Sequence, residues 1–183
     1  MASVTKDQWV ESGLNTLREK GYGELSIVKL AKSLGVTRGS FYYHFSSLNE
    51  LIDAMIESWE ERVVNQGFAQ TMTNSEDPRA EFNNLINYVT QLSDRLDLVF
   101  RQWAPSNPHV MTHMERLDIK RLQRLTELMQ RLAKDDEKGS MLARIAFYAY
   151  MGSLQTYPVP NASQQAQAAH DMLGVILGYL DLN

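Results

Sequence analysis

Residues 21–51 read GYGELSIVKLAKSLGVTRGSFYYHFSSLNEL, and this stretch decides the fold. Ser26 is a capping residue placed just before Ile27, Leu30, Ala31 and Leu34, which recur at helical spacing. Gly35 stands where the end of such a helix wants a left-handed residue. Thr37 is then placed to cap a second short helix. Two short helices about a tight turn make a helix-turn-helix, a motif that lays its second helix in a DNA major groove.

The content of the second helix fits that task. Arg38, Gly39, Ser40, Tyr42, Tyr43 and His44 fall in one short run, and with Ser26 and Thr37 they are the candidate DNA-binding residues. Arg can donate two bonds to guanine, and Ser can serve a base edge or a phosphate. Tyr and His are phosphate partners, and a helix N-terminus adds backbone donors. Gly39 has no side chain, so the backbone can come close to a groove. Phe41 and Phe45, four apart, face back into the core. The plain alternative is a small core helix with an aromatic surface. It leaves Arg, His and two Tyr outside for no reason.

The stretch from about Trp9 to Met55 resembles the N-terminal signature of TetR-type bacterial transcriptional regulators. The resemblance is carried by Gly21, Leu30-Ala31, Leu34-Gly35-Val36, Gly39, Tyr43-His44-Phe45 and Glu50-Leu51. It implies an all-α fold, with a three-helix DNA-binding head on a larger helical body that binds a ligand and dimerises. It also implies that Thr37 to His44 form the recognition helix and its flanks, with Tyr43 and His44 on phosphates. Many members carry a Lys near the start of the fourth helix. Here that position is Leu48, so one phosphate contact of the family has no counterpart.

Outward from this core, Lys6 to Lys20 reads as a first helix with Trp9, Val10, Gly13, Leu14 and Leu17 on one face, ended by Gly21. Ser47-Leu48-Asn49-Glu50 reads as a capping box. It opens a long helix with Leu51, Ile52, Met55, Ile56, Trp59 and Val63 on one side. Thr71 to Asp77 is a polar break, and Asp77-Pro78 restarts a helix. That helix reads as continuous from Phe82 to Trp103, where Pro105 ends it. Asn107-Pro108 starts another, and Lys134 to Gly139 reads as a charged loop. The expected domains are 1–46, the helix-turn-helix head, and 47–183, the ligand-binding and dimerisation body.

Composition narrows the function. The 183 residues carry a net charge of −4 and no Cys. Residues 1–48 hold six Lys/Arg against four acids, so the head is +2 and the remainder −6. An acidic body turns DNA away from everything except the head. Without Cys there is no thiolate metal site and no thiol nucleophile. No secretory leader pattern or long apolar run is present, so the expectation is a cytoplasmic protein with no membrane span. There is no Gly-rich phosphate loop and no GxSxG, and an enzyme is not expected. No cofactor is expected either.

In the body, Tyr88, Gln91, Phe100, Trp103, Met111, Met114 and Tyr148 mix aromatics and amides in the way a mostly apolar ligand pocket does. For each one alone, ordinary core packing is the simpler reading. His109 and His113 are four apart, with Glu115 and Asp118 near, but no third ligand sits at a telling distance and no metal is expected. Residues 140–157 carry only Arg144, and residues 162–180 only Asp171. Helices apolar most of the way round are buried on two sides, one against their own core and one against a second copy. The interface expected from this includes Ala143, Ala146, Tyr150, Gly174, Val175 and Gly178. The expected function is a homodimeric regulator on a palindromic DNA operator, a repressor released by an unidentified small-molecule effector. The alternative is a ligand-blind DNA-binding or protein-recruiting module on the same fold.

Overall fold

The structure is a computed structural model that describes residues 4–71, 76–91, 96–158 and 160–182. Among the described residues every regular element is helical. The head begins with α1 (Lys6–Lys20), α2 (Ile27–Ser33) and α3 (Arg38–His44). It is followed by α4 (Leu48–Trp59), a π-helical turn at Glu60–Asn65 and α5 (Gln66–Thr71). The rest is α6 (Pro78–Gln91), α7 (Leu96–Trp103), α8 (Pro108–Ala133), α9 (Asp136–Ser153) and α10 (Ala162–Leu182).

Local chemistry sets the helix ends. Thr5 and Gln8 form a reciprocal capping box at the start of α1, which the sequence reading did not single out. Gly21 (φ +78°) and Gly35 (φ +68°) take backbone conformations that L side chains rarely adopt. At α4, Ser47 accepts from the Glu50 amide as expected. The Glu50 carboxylate, however, reaches Ser46 rather than Ser47, accepting from its N–H at 2.7 Å and its hydroxyl at 2.8 Å. These two bonds hold the Glu50 carboxyl below its ordinary value. Asp77 and Asn107 cap α6 and α8 with their carboxylate and amide oxygens.

The chain forms two compact units, residues 1–64 with 94–117, and residues 65–93 with 118–183. In the first, α1 and α4 pack along their apolar faces, with Trp9, Leu14, Leu17, Leu51 and Met55 sealed from solvent. A Cβ on Gly13 would lie 2.5 Å from the Met55 sulfur, so that glycine makes room for the thioether. Trp59 meets Phe100 with ring centroids 5.1 Å apart, and Tyr22 stacks on Trp103 at 5.5 Å. This unit runs past the expected boundary at residue 46 and takes in α7 and the start of α8.

The second unit is built on Phe82, Leu85, Leu128, Met129, Ala143, Phe147, Leu173 and Ile176. Glu81 is buried here against the Arg131 guanidinium at 2.7 Å. The helix read from Phe82 to Trp103 is described as α6 and α7, and its residues 92–95 lie outside the described ones; Phe82, Leu85 and Ile86 serve the core of the second unit, while Leu96, Phe100 and Trp103 are buried in the first. One expectation needs correction. The charged loop at 134–139 is mostly the first turn of α9, capped by Asp135. Gly139 lies inside that turn, where a Cβ would sit 2.4 Å from the Gln130 Cα. The glycine is a close helix crossing rather than a loop residue.

Candidate nucleic-acid interface

α2 and α3 are short, and their core residues explain what they leave outside. Leu30 and Ala31 of α2 and Phe41 of α3 are buried, and Phe45 follows into the same core. Trp9 of α1 braces Phe41 edge to face at 5.3 Å. With that face occupied, Arg38, Gly39, Tyr42 and Tyr43 must face solvent, and Tyr43 is 86% exposed. Ser40 is half-buried.

The candidate residues divide by what they are already doing. Ser26 caps α2, its hydroxyl accepting from the Lys29 amide at 3.3 Å. Thr37 occupies the capping position of α3 with extended backbone, but its hydroxyl does not cap the helix as expected. It is exposed beside Gly39. His44 is half-buried, and its Nε2 lies 2.7 Å from the carbonyl oxygen of Val4. Its ring stands perpendicular to that of Tyr43, centroids 5.0 Å apart. Lys6, two residues beyond Val4, lies over the Phe45 ring at 5.0 Å. Nothing in the sequence pairs the chain start with the end of α3, forty residues later, so this tie is visible only in three dimensions.

Gly39 is the informative glycine. Its φ is not positive, and a Cβ added there would meet only the Thr37 hydroxyl, at an ordinary 3.5 Å. Neither backbone conformation nor packing within the chain calls for glycine at this position. A helical glycine costs up to about 1 kcal/mol against alanine. That cost is explained if something outside the chain must come close to this side of α3.

The body residues are placed as follows. Phe100, Trp103 and Met114 are buried in the first unit, where Phe100 and Trp103 pack on Trp59 and Tyr22. Met111 of the same unit is exposed. Tyr88, Gln91 and Tyr148 belong to the second unit. Tyr88 lies directly over Gly67, where an added Cβ would fall 2.2 Å from the ring, and burial pushes its phenol pKa up. Gln91 and Tyr148 are exposed. Of these seven residues, only Phe100, Trp103 and Met114 are therefore buried; Tyr88 is half-buried and Gln91, Met111 and Tyr148 are exposed. His109 and His113 find their partner on α4 and not in Glu115 or Asp118. Asp53 lies 3.5 Å from His109 and 3.1 Å from His113. Arg116 donates to the other nitrogen of His113 at 3.0 Å.

On α9 and α10 the structure separates the two apolar faces. Ala143 and Ala146 point into the core of their own unit, which corrects their assignment to a partner surface. Tyr150 is half-buried. The outward side of α9 carries Ile145 and Tyr148 instead. Gly174, Val175 and Gly178 of α10 are exposed, and a Cβ on either glycine would meet nothing within 4 Å.

Residues 10–55 match the family model of bacterial regulatory proteins, tetR family. Over 60 residues the chain is 32% identical to the HTH-type transcriptional regulator TtgR of Pseudomonas putida. That match spans 33% of this chain and 29% of the relative. In fold, the chain is similar to the reduced form of NemR from E. coli, at TM-score 0.77 and 14% identity, covering 96% of both chains. It is also similar to a TetR transcription regulator from Haloarcula marismortui, at TM-score 0.74 and 17% identity, covering 97% of this chain and 96% of that one. At such identities the structural likeness speaks for the fold alone. No helix among the described residues is long and apolar enough to cross a membrane.

Proposed function

Because the chain belongs to the tetR family of bacterial regulatory proteins, we propose that it regulates transcription by binding a near-palindromic DNA operator as a homodimer, as a repressor that a small molecule releases. The observation that carries the DNA reading is the exposed face of α3. Arg38, Tyr42 and Tyr43 stand exposed around a glycine that the fold itself does not need. Arg38 reads a base, Tyr43 sets the register on phosphates, and Gly39 lets the helix backbone settle into the groove.

The dimer reading is supported by the outward sides of α9 and α10. Ile145, Tyr148 and Val175 are each more than half exposed. Gly174 and Gly178 sit in mid-helix with open space where a side chain would go. Each costs helix stability and gains nothing from this chain's own packing. A second copy laid against them gains close backbone approach and covers the apolar stripe. The same pairing brings two heads to two half-sites, which lie about 34–36 Å apart for one helical turn.

The effector rests on the family alone. The burial of Phe100, Trp103 and Met114 and the closure of Tyr88 over Gly67 favour a second reading, a DNA-binding module with no effector. Selection from a random duplex pool tests the function. The regulator reading expects enrichment of one two-fold symmetric site bound by two chains. Enrichment of nothing, or binding of equal strength to every duplex, overturns it. Thermal melting of the protein against a panel of apolar and aromatic compounds then separates the two readings, since a ligand of the native state raises the midpoint.

A further inference from the structure

We infer that Lys6 of α1 is a phosphate contact of the DNA-binding face, made from outside the recognition helix; this rests on the DNA-binding reading above. Residues 39–61, from the second residue of α3 to beyond the end of α4, contain no Lys and no Arg. The corner where α3 ends and α4 starts therefore has no fixed positive charge of its own, although Tyr43, Ser46 and Ser47 are exposed there. The fold brings one in from the beginning of the chain. The 2.7 Å contact between His44 Nε2 and the Val4 carbonyl oxygen sets the start of α1 against the last residue of α3. Two residues on, the Lys6 ammonium lies over the ring of Phe45, 5.0 Å from its centroid. The Glu50 carboxyl is held below its ordinary value first by its two Ser46 bonds and then by the Lys6 charge, so that charge is felt at the first turn of α4.

This placement does not serve α1 itself. Lys6 is the first residue of that helix, and the first turn of a helix favours acids and disfavours a cation. The Glu50 carboxylate is engaged by Ser46, at 2.7 Å and 2.8 Å. What holds the ammonium is an aromatic face, which steadies a cation without cancelling its charge. An exposed cation fixed beside the open side of α3 suits a backbone phosphate, and such a contact adds affinity without reading sequence.

Each neutralised phosphate adds about 0.9 to the slope of log affinity against log salt. The full chain and the duplex it selects are titrated from about 50 to 200 mM salt. Lys6→Met keeps an apolar stem over Phe45 and loses the charge. It should weaken selected and scrambled duplexes alike, with a slope lower by about 0.9, so its deficit narrows about 3.5-fold across that range. Lys6→Arg keeps a cation over the ring and should keep the parent's slope. A Lys6→Met slope equal to the parent's overturns the inference, because Lys6 then props Phe45 and meets no phosphate. A slope that falls as far in Lys6→Arg as in Lys6→Met overturns it too, because charge is then not what matters. Thermal melting checks that each variant is folded; should Lys6→Met unfold, Lys6→Gln is titrated in its place and read the same way. Absence of any selected duplex overturns the DNA-binding reading and this contact with it, whereas a selected duplex with an unchanged slope overturns this contact alone.

Discussion

Replacing Gly39 with alanine should stabilise the protein and damage its function. The free chain has space for the methyl group, whose nearest neighbour is the Thr37 hydroxyl at 3.5 Å. No positive φ stands in the way, so the gain is that of an ordinary helical Gly→Ala change, about 0.5–1 kcal/mol. For a chain of this size that raises the melting midpoint by about 1–4 °C. On DNA the same methyl meets the groove wall. An extra methyl forced into a packed surface costs about 1–3 kcal/mol, or about 5- to 150-fold in affinity. Thermal melting followed by circular dichroism reads the first effect, and fluorescence anisotropy on the selected duplex reads the second. The opposite signs are the signature. A variant that binds as tightly as the parent means that this side of α3 does not approach DNA. A variant that melts lower means that the glycine serves the fold after all.

Arg38→Ala should cost about 1–3 kcal/mol on the selected duplex and relax preference at one base position, while Tyr43→Phe should weaken selected and scrambled duplexes alike. Competition titrations separate them, and equal losses for Arg38→Ala on both duplexes would remove it from base reading. Gly178→Glu puts a charge where a Cβ has open space in the free chain. The chain should fold, sediment as a monomer and lose its operator affinity, and a dimer persisting at low concentration would place the interface elsewhere. Arg131→Met leaves the buried Glu81 carboxylate without its 2.7 Å partner and should lower stability by about 1–3 kcal/mol in chemical denaturation, against no change if the pair is incidental. The folded pKa of Glu50 is depressed below 4.5, so its contribution is present above that value and is lost as pH falls through the folded value. The stability gap between the parent and Glu50→Gln should therefore close at acid pH, and a gap independent of pH would rule out the Ser46 bonds as its source.

Local signals were readable from the sequence, and long-range pairings were not. Ser26, Gly35 and the run Ile27, Leu30, Ala31 announce α2 and its turn because capping and apolar period act within a few residues. The exposed side of α3 follows from Phe41 and Phe45 being claimed by the core. His44 was readable only as a polar residue on that helix, because its partner Val4 is forty positions away. Asp53 likewise meets His113 sixty positions later, and nothing near either residue signals it. Glu81 looks like a surface acid until Arg131 is placed beside it. On α9 nearly every position is apolar or small, so period alone could not decide which side is inward. The structure buries Ala143 and Ala146 and turns Ile145 and Tyr148 out.

The central claim is that α3 lies in a major groove, once per subunit of a dimer. Guanine N7 faces that groove, so methylation interference on the selected duplex tests the claim most directly. The expected result is two clusters of interfering guanines centred about 10–10.5 base pairs apart, related by two-fold symmetry, with the innermost effect lost in Arg38→Ala. Guanine methylation that leaves binding untouched, or a single cluster without a symmetry mate, would contradict it.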